Sequence, residues 1–180
     1  MDHALIIGLG NPDPALTDTY HNVGVLAMQW IAEHAAENGG ATTTALKFRT
    51  HKDRFAYIKT GKYIFIRPLS FMNESGRAVH DAMRAFGADA KDIIVIHDDS
   101  DIPVGEFKRA ASGGSAGHKG IQSIIDHLHT EDFARIRIGI REPNEAHRKK
   151  AGDFVLSPIS HTDKKTFEKV FEQISSSLLS

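Results

Sequence analysis

Four consecutive branched apolar residues, Ile93 to Ile96, stand directly before His97, Asp98 and Asp99. A run without polar alternation has no face to show to water, so it is read as a strand buried on both sides by covering layers. The rest of the chain supplies those layers. Ala4 to Gly8 is a second short apolar run, and it feeds a loop with Asn11, Pro12, Asp13 and Pro14. Val23, Leu26, Ala27, Trp30, Ile31 and His34 recur at helical spacing, with Asn22 available as a cap and Gly39-Gly40 as the stop. Leu46 to Thr50, Arg54 to Thr60 and Lys62 to Arg67 read as strands, the last two joined through Gly61 as an antiparallel hairpin. Ala78, Val79, Ala82, Met83 and Phe86 line a helix that ends at Gly87. Ile121, Ile124, Ile125 and Leu128 mark another helix, Ala134 to Ile140 another strand, and Phe167, Val170, Phe171, Ile174 and Leu178 a terminal helix. Alternation of this kind predicts an α/β fold: a single-domain three-layer α/β/α sandwich over residues 1–180, with a mixed, mostly parallel central sheet.

Composition narrows the class. At 180 residues and 41% apolar content the chain is the size of one domain. The absence of cysteine removes disulfide frameworks and thiolate metal sites and fits a reducing compartment. No segment reads as a signal peptide or membrane span, so a soluble cytoplasmic protein is expected. A net charge of −1 argues against a general charge-driven nucleic-acid binder, so any nucleic acid must meet a local patch. Lys108, Arg109, Lys119, Arg135, Arg137, Arg141, Arg148, Lys149 and Lys150 offer one, with a solvated face of interspersed charges as the alternative. The charged stretch from Glu142 to Ala151 reads as a lid, a binding loop or a surface connection.

Three loops next to predicted strand ends or helix starts carry polar groups suited to chemistry: Asn11 with His21, Phe71-Met72-Asn73, and His97-Asp98-Asp99. If they converge, a carboxylate orients a histidine and stabilises its imidazolium, while two amides hold a water and polarise a carbonyl. Spacing alone leaves open that Asn22 or Asn73 caps a helix and that the histidines satisfy loop backbone.

Other motifs fit less well. Gly8-Leu9-Gly10 begins a dinucleotide fingerprint, but Asp13 stands at the third glycine position. Gly117-His118-Lys119-Gly120 lacks the Ser or Thr that a Walker loop places after its lysine. Asp98, Asp99 and Asp101 lack the glycine and glutamate of an EF-hand, and His97 and His118 have no metal-ligand spacing behind them. Gly113-Gly114-Ser115-Ala116-Gly117 fits a nucleophile elbow, which makes Ser115 a candidate nucleophile for an esterase. Glu106 to Ala110 before it alternates with charge and does not read as a buried strand, so the glycines also read as a backbone cradle for phosphate or carboxylate, with Lys119 adding charge.

Taken together, Gly8-Leu9-Gly10-Asn11-Pro12, Tyr20-His21-Asn22-Val23-Gly24, Phe71-Met72-Asn73-Glu74-Ser75-Gly76, His97-Asp98-Asp99, Gly113 to Gly120 and Arg135-Ile136-Arg137-Ile138-Gly139-Ile140 resemble bacterial peptidyl-tRNA hydrolase, in order and spacing from about residue 4 to Leu156. The resemblance implies cleavage of the ester between a peptide, or an N-blocked aminoacyl group, and the terminal ribose of tRNA. It makes His21 the general base, Asp98 the group that holds it in its basic form, and Asn11 and Asn73 the amides that position substrate and water. Phe71, Met72, Gly117 and His118 would line the groove for the peptide and terminal adenosine, and Lys108 and Arg137 would lie near the tRNA backbone. Leu16 stands where the family usually has Tyr and Lys119 where it usually has Asn, which changes substrate contacts more than the hydrolytic centre. No metal is expected, and a monomer without an obligate protein partner is expected because the substrate is large and no apolar repeat suggests an interface. The resemblance further implies that no cofactor is required. Its alternatives are a non-hydrolytic RNA-binding relative and the Ser115 esterase.

Overall fold

The computed structural model describes residues 3–38, 47–142 and 154–179. In chain order the strands are β1 (Ala4–Gly8), β2 (Arg49–His51), β3 (Phe55–Thr60), β4 (Tyr63–Pro68), β5 (Ile93–Pro103), β6 (Phe107–Ala110) and β7 (Ala134–Arg141). The helices are α1 (Val23–Asn38), α2 (Ser75–Phe86), α3 (Lys119–Leu128) and α4 (His161–Leu179). All seven strands form one sheet in the order β2-β3-β4-β1-β5-β7-β6. The four adjacent central strands β4, β1, β5 and β7 run parallel, and the antiparallel pairings lie toward the edges, β2 and β3 on one side and β6 on the other.

Side-chain alternation along the central strands divides the core in two. Ile6, Ile96, Ile136, Ile138 and Ile140 face α1 and α4, where they meet Val23, Ala27, Ile31, Phe167, Val170 and Ile174. Leu5, Ile7, Ile93 and Val95 face α2 and α3, packing on Val79, Ala82, Ile121 and Ile124. The result is the three-layer arrangement expected from the alternation of elements.

The sheet departs from the sequence reading at two places that bear on the site. β5 does not stop at Ile96 but continues through His97, Asp98 and Asp99, which pair with Arg137, Ile138 and Gly139 of β7. These polar residues are therefore strand residues, fixed by ladder hydrogen bonds, and not a loop after the strand. Lys108 and its neighbours, read as too charged for a buried strand, form β6 at the sheet edge, where one face can stay in water. Gly39-Gly40, Leu46, the stretch from Pro143 to Ala151, and Arg148, Lys149 and Lys150 lie outside the described residues.

Gly24 sets the seat of α1. A β-carbon at this position would lie 2.3 Å from the Ile96 carbonyl oxygen and 2.8 Å from that of Leu9, so only glycine lets the helix start this close to β5. The close approach carries His21, three residues earlier, to Asp98 two residues beyond Ile96. Gly24→Ala is expected to lower stability by about 2–3 kcal/mol through overpacking against backbone that cannot yield. Urea denaturation reads this directly, and an unchanged midpoint would show that α1 can shift without cost.

Candidate active site

At the carboxyl ends of β1 and β5 lies a cleft of about 680 Å³. Its lining brings together Asn11, His21, Phe71, Met72, Asn73, Asp98, Gly117, His118 and Lys119 from the sequence-derived set, with Ser115, Val155 and Leu156 beside them. The three predicted loops thus converge, although the third is a strand. Leu16 is not in the lining. It sits half-buried in a 3₁₀ turn, its carbonyl accepting from the backbone and hydroxyl of Thr19. Lys108 and Arg137 are also outside the lining, directly opposite one another on β6 and β7 and so on one face of the sheet edge.

The centre of the cleft is a carboxylate between two imidazoles. His21 Nδ1 donates to Asp98 Oδ1 at 2.8 Å, and His118 Nε2 lies 2.9 Å from the same oxygen. Asp98 is only 4% exposed and His21 12%. Burial by itself pushes the Asp98 carboxyl up, but His118 and His21 outweigh it and hold the group well below the usual carboxylate range. An ionised Asp98 accepts the Nδ1 proton of His21, which leaves the His21 Nε2 lone pair for a water in the cleft.

The tautomer of His118 follows from its other nitrogen. His118 is the N-cap of α3, and its Nδ1 accepts the backbone N–H of Ile121 at 3.2 Å. A nitrogen that accepts carries no proton, so the proton of the neutral ring is on Nε2 and points at Asp98. The ligating atoms of His21, Asp98 and His118 lie within 4.8 Å of one another, a spacing that could hold a metal ion. With Nδ1 committed as an acceptor, however, His118 Nε2 is a donor and has no lone pair to give a cation. The donor set therefore fits hydrogen bonding better than ligation.

The amides are arranged with equal economy. Asn22, read as a possible helix cap, instead ties down Asn11: its Oδ1 accepts from the Asn11 N–H at 2.7 Å and its Nδ2 donates to the Asn11 carbonyl at 3.0 Å. Asn11 Oδ1 accepts from the Met72 N–H at 3.0 Å. With Oδ1 taken, the Nδ2 group of Asn11 is the one left to donate to a substrate carbonyl. Asn73 is exposed in the adjoining 3₁₀ turn and lines the cleft. Among the described residues, the exposed large apolar side chains are Phe71, at 58%, and Leu156, at 47%, and both border this cleft.

The basic patch is only partly a surface feature. Arg135 is buried, donates to the carbonyls of Gly113 and Gly114, and lies over the Phe133 ring, so it holds the glycine-rich loop in place and is not open to a phosphate. Arg109 donates to Ser177 of α4. Arg137 Nε donates to Asp99 Oδ2 at 2.7 Å, and Lys108 beside it is exposed.

Ser115 borders the cleft, but its hydroxyl donates to Gln122 at 2.7 Å. The strand before it, β6, is an antiparallel edge strand separated from it by residues 111–114, so the strand-turn-helix geometry of a nucleophile elbow is not present.

Residues 154–160 were not legible as part of the site, because they have no periodicity and carry no motif. They lie along the turn that holds His21: Val155 accepts from the His21 N–H at 2.8 Å, and Ser157 accepts from the Tyr20 N–H at 3.3 Å. Tyr20 stacks on Phe154 and donates its hydroxyl to Asp163 at 2.5 Å at the start of α4. The Tyr20 hydroxyl is pushed up from its usual pKa by burial and by that carboxylate.

Burial pushes His97, the residue before Asp98, down to about 3. Its Nδ1 donates to the Asp98 carbonyl at 2.7 Å, and its Nε2 has no partner. Below about pH 6.5 the unfolded chain protonates this residue while the folded chain refuses the proton down to about 3, so acidification through that window favours unfolding. The depressed Asp98 carboxyl adds a further loss at lower pH. Near pH 5 the His97 contribution is about 2 kcal/mol, or a Tm roughly 5 °C below that at neutral pH. A Tm flat across the range, or an equal fall in His97→Gln, would contradict it.

Comparison with known proteins agrees with this geometry. The family model described as peptidyl-tRNA hydrolase matches residues 5–180. Proteins named peptidyl-tRNA hydrolase from Rhodococcus erythropolis and Lactobacillus acidophilus are 40% and 37% identical, covering 96% and 93% of this chain and 87% and 86% of their own. The crystal structure of peptidyl-tRNA hydrolase from Acinetobacter baumannii superposes with a TM-score of 0.78 at 25% identity, over 97% of this chain and 86% of that one. With residues 5–180, the cleft among them, inside the family match, the chain belongs to the peptidyl-tRNA hydrolase family.

Proposed function

We propose that this chain hydrolyses the ester between a peptide, or an N-blocked aminoacyl group, and the terminal ribose of tRNA, with water activated by His21. The observation that carries the reading is the His21–Asp98 contact at 2.8 Å, which leaves Nε2 basic inside a cleft flanked by two amides. In the forward step His21 Nε2 takes a proton from water as its oxygen bonds to the ester carbonyl carbon. Asn11 Nδ2 and the Asn73 amide donate to the oxygen that gains charge, and Asp98 stabilises the imidazolium. When the intermediate collapses, the ester C–O bond breaks and the proton on His21 passes to the departing ribose oxygen. One water is consumed, and a free carboxyl group and a tRNA hydroxyl are produced.

The exposed ring of Phe71 offers a stacking face for a terminal base, which recognises the acceptor end without selecting sequence. Phe71→Ala is expected to raise KM for blocked aminoacyl-tRNA about tenfold and leave kcat within about threefold. A fall confined to kcat would take Phe71 out of the binding role. Lys108 and Arg137 are read as backbone contacts at the sheet edge, giving affinity that falls with salt.

A monomer in the cytoplasm belongs to the same reading. Among the described residues no helix is long and apolar enough to cross a membrane, and the exposed large apolar side chains are accounted for by the cleft. The function is tested by release of N-acetyl-amino acid from blocked aminoacyl-tRNA by the wild-type chain. Release with little action on unblocked aminoacyl-tRNA supports it, while tRNA binding without hydrolysis would make the chain a non-catalytic RNA-binding relative.

A further inference from the structure

We infer that His118 is a positioning residue for the reaction: its ring transmits the proton arrangement fixed at the start of α3 to Asp98, and so to His21. The inference rests on the reading of His21 as the base. Resemblance alone placed His118 among the substrate contacts, but both of its nitrogens are used within the protein. Nδ1 accepts from the Ile121 N–H, an N-cap bond that only the unprotonated nitrogen can make. Nε2 therefore bears the proton and donates to Asp98 Oδ1 at 2.9 Å. The ring is held in this attitude by His97, edge-on at a centroid distance of 4.7 Å, and it packs on His21 at 5.1 Å. Gly120 gives the cap its room, since a β-carbon there would lie 2.5 Å from Met72 Sδ and 3.1 Å from His118 Cε1.

Both imidazoles converge on one carboxylate oxygen, and that sharing is what gives His118 a function. An Asp98 free to rotate could present either oxygen to His21. With His118 also donating to Oδ1, the oxygen that meets His21 Nδ1 is fixed, and part of its charge is offset by a second donor. Charged and titratable groups line the same cleft: His21 from the Tyr20–Asn22 turn, His118 and Lys119 from the start of α3, and Asp99 and Asp101 from β5, with Arg137 of β7 paired to Asp99.

Two substitutions separate the two bonds of His118. Asn at this position places its Oδ1 near the site of Nδ1, keeping the cap and removing the donor to Asp98. Gln places its Nε2 near the imidazole Nε2, keeping the donor and removing the cap. In hydrolysis of N-acetyl-aminoacyl-tRNA, His118→Asn is expected to lower kcat about tenfold or more with KM within about twofold, the scale of losing one hydrogen bond to a charged partner. His118→Gln is expected to recover most of the lost kcat even though its α3 cap is weaker. A His118→Asn enzyme with wild-type kcat would overturn the inference, and a loss confined to His118→Gln would reduce His118 to a helix cap; equal losses in the two variants would also overturn it, because the donor to Asp98 would then not be what sets the rate. His21→Ala is run beside them. If it is inactive while His118→Asn is unaffected, the positioning inference alone fails, and if it remains fully active, the base reading fails and takes the inference with it.

Discussion

Replacing His21 with alanine is expected to lower kcat for N-acetyl-aminoacyl-tRNA hydrolysis by about two to four orders of magnitude, with tRNA affinity changed by no more than about threefold. The asymmetry follows from where the side chain is. His21 reaches Asp98 through Nδ1, whereas binding is read as resting on other side chains, Phe71 in the same cleft and the cations Lys108 and Arg137 at the sheet edge. Its backbone N–H is bonded to Val155 and is unaffected by the substitution, so the turn that carries residue 21 should keep its shape. Single-turnover rates and filter-binding affinities separate the two effects. Equal losses in both would mean that the side chain serves the fold of the cleft and not the chemistry.

Asp98→Asn is expected to cost roughly 100-fold or more in kcat for a different reason. Both imidazoles donate to Oδ1, so the carbonyl oxygen of asparagine can occupy that position and keep both hydrogen bonds. What is lost is the negative charge beside an imidazolium that forms in the transition state, and unit charges centred about 4 Å apart are worth about 4 kcal/mol at an effective dielectric of about 20. If Asp98→Asn kept wild-type kcat, the carboxylate would be an orienting group whose charge is irrelevant.

How much of this was readable in the chain depended on whether the information was local. Ile93 to Ile96 and the helical spacing of the apolar positions in α1, α2, α3 and α4 carry their burial in their own periodicity, and they specify the layers. The extension of β5 through His97, Asp98 and Asp99 was hidden, because polar residues at the end of a central strand look like a loop until β7 supplies their ladder partners. The resemblance supplied His21, Asp98, Asn11 and Asn73, and the structure brings all four to one cleft. It did not supply their mutual bonding. That Asn22 secures Asn11, that His118 donates to Asp98, and that Arg135 is spent on the Gly113 and Gly114 carbonyls are pairings across the fold, and no residue spacing encodes them. Asn22 did carry a signal, standing next to His21 within the same motif, but a cap was the simpler local reading.

The departures of this chain from the family pattern also become concrete. Lys119 is the first residue of α3, exposed, and lines the cleft beside His118. Leu16 lies outside the cleft lining.

The central claim, that His21 Nε2 is the base that activates water, is tested most directly by chemical rescue of the inactive His21→Ala variant. Free imidazole fits the space left by the side chain, next to Asp98 in the open cleft. Hydrolysis of blocked aminoacyl-tRNA is expected to return as the concentration of imidazole free base rises, saturably, and with no comparable gain in Asp98→Asn/His21→Ala. A variant that imidazole cannot rescue while it still binds tRNA and is folded, or one that needs no rescue because it hydrolyses the ester at the wild-type rate, would contradict it.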